Sequence, residues 1–575
     1  MPRDTTSPDA LRVSIGQAAA AGRKPVMQDF HGALVPEGEA LTLKGITLAV
    51  ADGISSSAVS GEAAETAIGS LLADYYATPD AWTVRTAATR VIAATNAWLH
   101  SRNATLSDID TGRVTTLAAL ILKGRAAHVL HVGDSRVQRI AGGALERLTE
   151  DHRVTLAAGR SYLGRALGAA AEVEVDYRRV ALSEGDTFLL TTDGVHDHVD
   201  PDIVRDALSR PDLDAAARAI LDAALAAGSD DNLTVQIVRI DALPDGAAGL
   251  APEAADLPVP PLPRAGDVVD GFRIVRPVQA SARSHVFRAT AADGTEVALK
   301  IPASDITQDA RALRRFQLEE WIARRVASPH VVAAGPASER RSALYVTTAW
   351  VEGTNLRQWM TDHPRPAFEE VRGIVEQVAA GLRALHRREM IHQDLRPENV
   401  MLDRDGTAKI IDLGSVTVAG VEEAAPGLLG EMPGTFQYTA PEYLSGDAVS
   451  WRSDQYALGV LAYEMLTGRL PYGAQVARIR SRRDQGRLRY EAARDDLSGV
   501  PDWMDAALRR ALHPDPLRRY DALSEFLADL RRPGPGWKAG RHVPLAERNP
   551  VRFWQGVSAA LAVLCVVLAA QLGGR

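Results

Sequence analysis

Between residues 241 and 264 the chain reads DALPDGAAGLAPEAADLPVPPLPR, rich in Pro, Ala and Gly and without helical or strand periodicity. Such a run has no face to bury, and it behaves as a semi-extended linker. It divides the 575 residues into two folded units, in keeping with a length too great for one hydrophobic core. Apolar residues at 46% and charged residues at 24% are the proportions of ordinary globular protein. A formal net charge of −8, with no clustered Lys/Arg stripe, excludes a general nucleic-acid binder. The single cysteine, Cys565, excludes an internal disulfide framework and fits a reducing compartment. Residues 1–11 are polar and lack the apolar stretch of a secretory signal.

A second break, RRPGPGWKAGRHVPLAERNP over 531–550, leads to FWQGVSAALAVLCVVLAAQL over 553–572, twenty residues without a charge. That length suits a helix crossing a hydrocarbon layer of about 30 Å, and the apolar residues surround the helix. Phe553 and Trp554 lie at one end, as interfacial aromatics do. Lys538, Arg541, Arg548 and Arg552 precede the segment, and only Arg575 follows it. The positive-inside rule then predicts a single-pass protein of the cytoplasmic membrane with both folded units facing the cytoplasm. The other reading of 553–572 is a buried or amphipathic terminal helix.

In the first unit, 41–50 is strand-like and runs into Ala51-Asp52-Gly53, while 61–76 and 81–100 have helical periodicity. Strand-like runs follow at 114–122 and 127–132, then a hairpin over Ala141-Gly142-Gly143, then strands at 186–192 and 233–240. Helices over 201–209 and 213–227 lie between the last strands, so sheets with helices packed outside are expected. Five short elements recur in order: Met27-Gln28-Asp29, Ala51-Asp52-Gly53, His131-Val132-Gly133-Asp134-Ser135-Arg136, Thr191-Thr192-Asp193-Gly194 and Ser229-Asp230-Asp231-Asn232. One Asp-Gly alone is usually a turn. Several aspartates that end apolar strands instead lift carboxylates from a sheet edge into one cleft, where Mg²⁺ or Mn²⁺ finds hard oxygen ligands.

Together with Leu148-Thr149-Glu150-Asp151-His152 and Ala166-Leu167-Gly168, these elements resemble the metal-dependent 2C-type Ser/Thr protein phosphatases over about residues 10–240. The resemblance implies an αββα sandwich with two or three divalent cations. It implies that Asp52 bridges two of them and that the Gly53 carbonyl adds a ligand. Asp193 and Asp231 would complete the first site, Asp29 would serve the second, and Asp134 a third. Where that family carries an arginine to grip the substrate phosphate, this chain has Lys24, with Arg23 adjacent. Lysine supplies the charge without the bidentate fork. Ser55-Ser56-Ser57 replaces the family's small Gly pair and leaves the ligand set intact.

The second unit opens with strand-like segments (272–278, 285–290, 297–301), a helix over 309–326 and further strand to Trp350; from Phe368 onward helices dominate. Val297-Ala298-Leu299-Lys300 puts a lysine on a strand, with Glu319 or Glu320 on the next helix to pair with it. Ile391-His392-Gln393-Asp394-Leu395-Arg396-Pro397-Glu398-Asn399 is followed by Asp412-Leu413-Gly414. Phosphoryl transfer from ATP needs an aspartate beside the acceptor hydroxyl, and an Asn and a second Asp holding Mg²⁺ against the phosphates. With Ala440-Pro441-Glu442 and Ser453-Asp454-Gln455-Tyr456-Ala457-Leu458-Gly459, the unit resembles the eukaryotic-like protein kinases over about 267–533. The resemblance implies a bilobal α+β fold with Lys300 on the α- and β-phosphates, Asp394 at the acceptor hydroxyl, and Asn399 and Asp412 on Mg²⁺. It also puts Ala349 and Val351 at the adenine, and Arg519 on Glu442. Three departures stand out. Gln279, Ser281 and Ser284 occupy the places of the Gly-rich loop, leaving Arg283 as a substitute phosphate contact. Gln393 replaces the arginine that pairs with a phosphorylated activation loop. Leu413 and Arg396 replace the usual Phe and Lys.

The expected order is thus a phosphatase domain (1–242), a linker (243–265), a kinase domain (266–533), a basic juxtamembrane segment (534–552) and a membrane helix (553–572). Chains of this order resemble bacterial bifunctional kinase/phosphatase proteins acting on Ser/Thr proteins; hydroxyls within 420–439, especially Thr435, and in the small lobe are candidate autophosphorylation sites. The alternative is an active phosphatase joined to a pseudokinase that senses nucleotide or acts as a scaffold.

Overall fold

A computed structural model describes residues 10–155, 161–244, 257–281, 283–338, 341–427, 437–494, 499–534 and 553–561. Much of the linker, nearly all of the 534–552 segment, residues 562–572 and Thr435 lie outside the described residues.

In the first unit the elements run β1 (Arg12–Ala20), β2 (Asp29–Leu34), α1 (Gly38–Lys44), β3 (Ile46–Asp52), α2 (Ser60–Ala77) and α3 (Val84–Asn103). They continue with β4 (Leu117–Lys123), β5 (Ala126–Val132), β6 (Arg136–Ala141), β7 (Ala144–Arg147), β8 (Arg153–Thr155), β9 (Ser161–Leu163) and β10 (Asp176–Ala181). The unit closes with β11 (Thr187–Thr191), α4 (Asp193–His196), α5 (Pro201–Leu208), α6 (Leu213–Ala226) and β12 (Leu233–Ala242). Two five-stranded antiparallel sheets form, in the orders β1-β12-β11-β6-β7 and β10-β5-β4-β3-β2. β3, β4 and β5 are apolar on both faces because each face is covered. One face packs on α2 and α3 through residues such as Ile68 and Leu130. The other meets the opposite sheet through Leu48, Leu120, Phe188 and Val238. α5 and α6 cover the far side of that opposite sheet. The expected αββα layering is present.

One boundary differs from the sequence reading. The stretch 41–50 is not one strand: α1 occupies Gly38–Lys44 and β3 starts at Ile46. Gly45, at φ 78, stops the helix, and its N–H bonds back to the carbonyls of Ala40 and Leu41. β1, β2 and β10 carry no strong apolar alternation, and sequence periodicity did not disclose them.

The second unit begins with β13 (Val268–Val269), β14 (Phe272–Ala280), β15 (Ser284–Thr290), β16 (Glu296–Pro302), α7 (Ala310–Arg325) and β17 (Val346–Ala349). The five strands form one antiparallel sheet in sequence order around Phe272, Phe287, Leu299 and Tyr345. The larger lobe follows with β18 (Gly353–Asn355), α8 (Leu356–Asp362), α9 (Phe368–His386), β19 (Met390–Ile391), β20 (Val400–Asp403), β21 (Ala408–Ile410) and β22 (Thr417–Val418). It goes on through α10 (Ala419–Ala424), α11 (Pro441–Ser445) and α12 (Trp451–Thr467). α9 and α12 supply most of its core, and Arg519, wholly buried, makes two 2.7 Å bonds to Glu442. The two units pack against each other: Leu43 and Ala81 of the first belong to the hydrophobic core of this larger lobe.

The expected membrane helix over 553–572 requires correction. Among the described residues no helix is long and apolar enough to cross a membrane. Within the segment, the described residues 553–561 are helical, and 562–572 lie outside the described residues.

Candidate functional site

β2 and β3 pair in a register that sets Asp29 directly opposite Asp52. Asp134 follows β5, Asp193 opens α4 just after β11, and Asp231 precedes β12. The ends of both sheets therefore bring all five aspartates to one edge of the sandwich. Close backbone approach makes this possible: a Cβ on Gly194 would lie 2.1 Å from the carbonyl oxygen of Asn232. Gly53 is bridged to Thr115 beside the cluster. Asn232 pins the loop before β2: its Nδ2 donates to the carbonyls of Ala21 (2.9 Å) and Val26 (3.0 Å), and its Oδ1 accepts from the N–H of Gln28 (2.7 Å).

Asp29 is 5% exposed, and one of its oxygens accepts from the hydroxyls of Thr192 and Thr234 at 2.8 Å each. Its other oxygen is buried without a partner. Burial, and then the neighbouring charge of Asp193, push Asp29 up to about 6. Burial also pushes Asp193 up to about 6, with Asp134 adding to the shift and Arg153 opposing it. Asp52 is raised well above its ordinary value by burial and then by Asp29, Asp193, Asp134 and Asp231. The cluster is short of positive charge, it holds an orphaned buried carboxylate oxygen, and its donors are all oxygens. These residues fit hard divalent cations.

Lys24 reaches this edge, with its Nζ 3.5 Å from Asp231 and 3.1 Å from Ser55 Oγ. Arg23 is exposed, and no described hydrogen bond or ion pair joins it to the carboxylates. The residue that sequence reasoning missed is Arg153. Its guanidinium contacts Asp134 (2.6 Å), Asp193 (2.8 Å) and Asp197 (2.9 Å) at once. Its signal was its place directly after Glu150-Asp151-His152. Among the described residues, the tight trio of metal-type donors is His131, His152 and Asp176, within 4.8 Å of one another; the expected carboxylates form no such trio. His152 Nδ1 accepts from the Gly133 N–H at 3.0 Å, and its Nε2 faces Asp176 at 3.0 Å. Arg165 lies 2.6 Å from the same carboxylate. With both nitrogens of His152 engaged and a guanidinium alongside, this trio braces the turn that carries Asp134.

In the second unit, Lys300 on β16 pairs with Glu319 on α7 and lies 3.3 Å from Asp412. Glu320, the alternative partner, turns to Arg324 and Arg341. Burial works against the charge of Asp412, yet Lys300 and the Gly414 N–H hold it below its ordinary value. Burial raises Glu319 despite the facing Lys300, and burial also raises Asp394. Asn399 Nδ2 donates to the carbonyl of Asp394 at 2.8 Å and to its carboxylate at 3.2 Å. His392 Nε2 donates to the Asp412 carbonyl at 2.8 Å, joining the two loops. Asp454, 1% exposed, accepts from the backbone N–H groups of His392 (2.9 Å) and Gln393 (3.0 Å), which fixes the loop around Asp394.

Gln393 has φ 67, a strained value for a residue with a side chain, and its Nε2 donates to Thr417 Oγ1 at 3.2 Å. In place of the Gly-rich loop, the Ser281 N–H donates to the Ser284 carbonyl at 2.9 Å, and Arg283 reaches Ser415 Oγ at 3.4 Å. Ala349 closes β17, opposite Val297, and Val351 lies two residues on in the connection between the lobes.

Residues 18–234 match the protein phosphatase 2C family model, and residues 280–528 match the protein kinase domain model. The chain joins a protein phosphatase 2C domain to a protein kinase domain. Over 237 residues it is 28% identical to the Bacillus subtilis serine/threonine-protein kinase PrkC, covering 41% of this chain and 36% of that one. Over 266 residues it is 30% identical to the Mycobacterium tuberculosis serine/threonine-protein kinase PknH, covering 46% of this chain and 42% of that one. The chain therefore spans well under two thirds of the length of these kinases. The PPM Ser-Thr phosphatase MsPP of Mycobacterium smegmatis is 29% identical, with 40% of this chain and 98% of that one covered and a TM-score of 0.33. The phosphatase domain thus holds its acidic edge between two sheets, and the kinase domain holds its own between two lobes.

Proposed function

We propose that the phosphatase domain hydrolyses phosphoserine and phosphothreonine in proteins with Mg²⁺ or Mn²⁺, and that the kinase domain phosphorylates Ser/Thr hydroxyls from ATP. One observation carries this reading: both sets of acidic residues stand assembled, each beside a lysine suited to phosphate. In the phosphatase domain Asp29, Asp52, Asp193, Asp231 and the Gly53 carbonyl would hold two cations, and Asp134 a third. Bound there, the cations supply a hydroxide nucleophile and a clamp on the phosphoryl oxygens. Lys24 orients the phosphate by charge, and Asn232 keeps the Lys24 loop in place.

In the kinase domain Lys300, positioned by Glu319, holds the nucleotide phosphates, and Ala349 and Val351 border the adenine. Asn399 and Asp412 would hold Mg²⁺. Asp394 orients the acceptor hydroxyl and takes its proton. The pseudokinase alternative loses ground because Lys300, Glu319, Asn399 and Asp412 keep the arrangement that phosphoryl transfer uses.

The test uses the full chain with labelled ATP and Mg²⁺ or Mn²⁺. Label should accumulate on protein in Asp193→Ala and vanish in Asp193→Ala/Asp394→Ala. No label in Asp193→Ala, with or without an added acceptor protein, restores the pseudokinase reading. Turnover of p-nitrophenyl phosphate should cease in Asp52→Ala; turnover that persists removes the metal chemistry assigned to the phosphatase domain.

A further inference from the structure

The contact between the two domains falls on the two parts of the kinase domain that decide whether its site is assembled. The first is α7, which carries Glu319. At its C-terminal end Trp321 Nε1 donates to Glu39 Oε1 of the phosphatase domain at 2.7 Å. Arg325, stacked 4.0 Å over the Trp321 ring, reaches Glu39 at 2.9 Å and Asp80 at 3.2 Å. Glu39 and Asp80 belong to one braced unit. Lys44 Nζ, at the end of α1, donates to Thr78 Oγ1 (2.7 Å) and to the carbonyls of Thr78 (2.7 Å) and Pro79 (3.0 Å), tying α1 to the loop before α3.

The second part is the segment that follows Asp412. The N–H of Gly420 donates to the Ala81 carbonyl at 2.9 Å, and a Cβ at Gly420 would lie 2.6 Å from the Trp82 carbonyl oxygen. Glu423, on α10, accepts from the Val84 N–H at 2.9 Å and from Lys123 Nζ at 3.1 Å. The Lys123 side chain is wholly buried, and a buried ammonium without a counter-charge is costly. Its described carboxylate partner comes from the other domain. Glu389, next to the catalytic loop, accepts from the Thr83 N–H (2.7 Å) and the Thr86 hydroxyl (2.6 Å). The N-terminus of α3, where unpaired N–H groups favour negative charge, thus rests on two kinase carboxylates.

We propose that the phosphatase domain is a built-in clamp that holds the kinase domain in its catalytic arrangement. It does so by fixing α7, and with it Glu319 on Lys300, together with the 417–424 segment. In kinases the positions of these two elements are what activation-loop phosphorylation controls. This chain has Gln393 where the phosphate-reading arginine stands in the resembling family, so another source of order is required. A surface that binds the assembled arrangement better than the disassembled one supplies it. The clamp's effect on phosphotransfer rests on the kinase reading above; its effect on order does not.

The experiment reverses charge on the phosphatase side of the contact, away from both chemical sites, in the full chain: Glu39→Arg/Asp80→Arg. Phosphotransfer to an added protein acceptor should fall by roughly 5- to 150-fold, the usual range of coupling between sites. Hydrolysis of p-nitrophenyl phosphate should hold its rate. Adding Arg325→Glu should restore much of the phosphotransfer by swapping the charges back into register. Hydrogen exchange should quicken in α7 and in 417–424 of the double variant while β3–β5 remain protected. That measurement stands even if the native chain transfers no phosphate, an outcome that would strike the kinase reading alone. Unchanged exchange in α7 and 417–424 overturns the clamp. So does a rise in phosphotransfer, which would make the contact a brake.

Discussion

The phosphatase and kinase domains each gather aspartates at one edge, yet their charge balance is opposite. In the phosphatase domain five carboxylates face one another, with Lys24 and Arg153 at the rim, and Asp29 and Asp193 are pushed up to about 6. In the kinase domain Lys300 lies within the cluster, and Asp412 is held below its ordinary value. The kinase domain carries its own counter-charge in Lys300. The phosphatase domain is built around missing charge, so metal should matter to its folding as well as its chemistry.

The largest expected effect separates the two domains. Asp394→Ala should lower phosphotransfer by about 10²- to 10⁴-fold, the range for losing a positioned acid–base group. It should leave p-nitrophenyl phosphate hydrolysis intact. Asp52→Ala should do the reverse. Parallel assays of both activities on each full-length variant check this, and a variant that silences both would show that the edges are not chemically independent.

A second test exploits the raised carboxylates. Asp29 titrates near 3.9 in the unfolded chain and at about 6 in the fold. Between those values the folded state binds the extra proton, so metal-free stability falls as pH rises from about 4 to 6. For a group this buried the loss is on the order of 3 kcal/mol. Thermal melts in EDTA should show the phosphatase transition moving down over that window, and Mn²⁺ should cancel the movement. Burial raises Glu319 and Asp394 in the kinase domain too, so what sets the phosphatase transition apart is that Mn²⁺ without nucleotide cancels its movement. A phosphatase transition indifferent to Mn²⁺ would contradict the charge deficit.

How much of this was legible before the fold was known depends on how local the signal is. The aspartates at strand ends and the Lys300, Asp394, Asn399 and Asp412 spacing could be read because each side chain is placed by its own element. The same holds for Arg519 and Glu442. The α1–β3 boundary was misread because Leu41, Leu43 and Ile46 are apolar under either period, and only the positive φ of Gly45 separates helix from strand. Arg153 was passed over since its three partners come from distant segments. The domain contact was not legible at all: Glu389, Glu423 and Lys123 are ordinary charged residues until tertiary packing buries them together. Sequence alone also read 553–572 as membrane-spanning from its hydropathy, whereas no helix among the described residues is long and apolar enough to cross a membrane.

Arg153 gives the third test. Its guanidinium lies on Asp134 and Asp193, where a cation would have to displace it. Partly exposed pairs of this kind are worth about 1 kcal/mol. Arg153→Ala should therefore lower the Mn²⁺ concentration for half-maximal phosphatase activity by roughly fivefold while lowering metal-free stability slightly. A higher Mn²⁺ requirement would instead assign Arg153 to holding the carboxylates in place for metal.

The smallest effect concerns how the kinase domain replaces a phosphate. Gln393 joins the catalytic loop to β22 through one neutral hydrogen bond, 3.2 Å to Thr417 Oγ1. Such a bond contributes about 1 kcal/mol or less. Gln393→Ala should thus slow phosphotransfer by no more than about fivefold, at or below the low end expected for reversing charge at Glu39 and Asp80. If the single hydrogen bond proved as costly as the whole domain contact, order in the 417–424 segment would come from within the kinase domain, and the phosphatase domain would be a passenger. A small effect keeps the division of labour as drawn: Gln393 fastens the segment's start, and the neighbouring domain holds the rest.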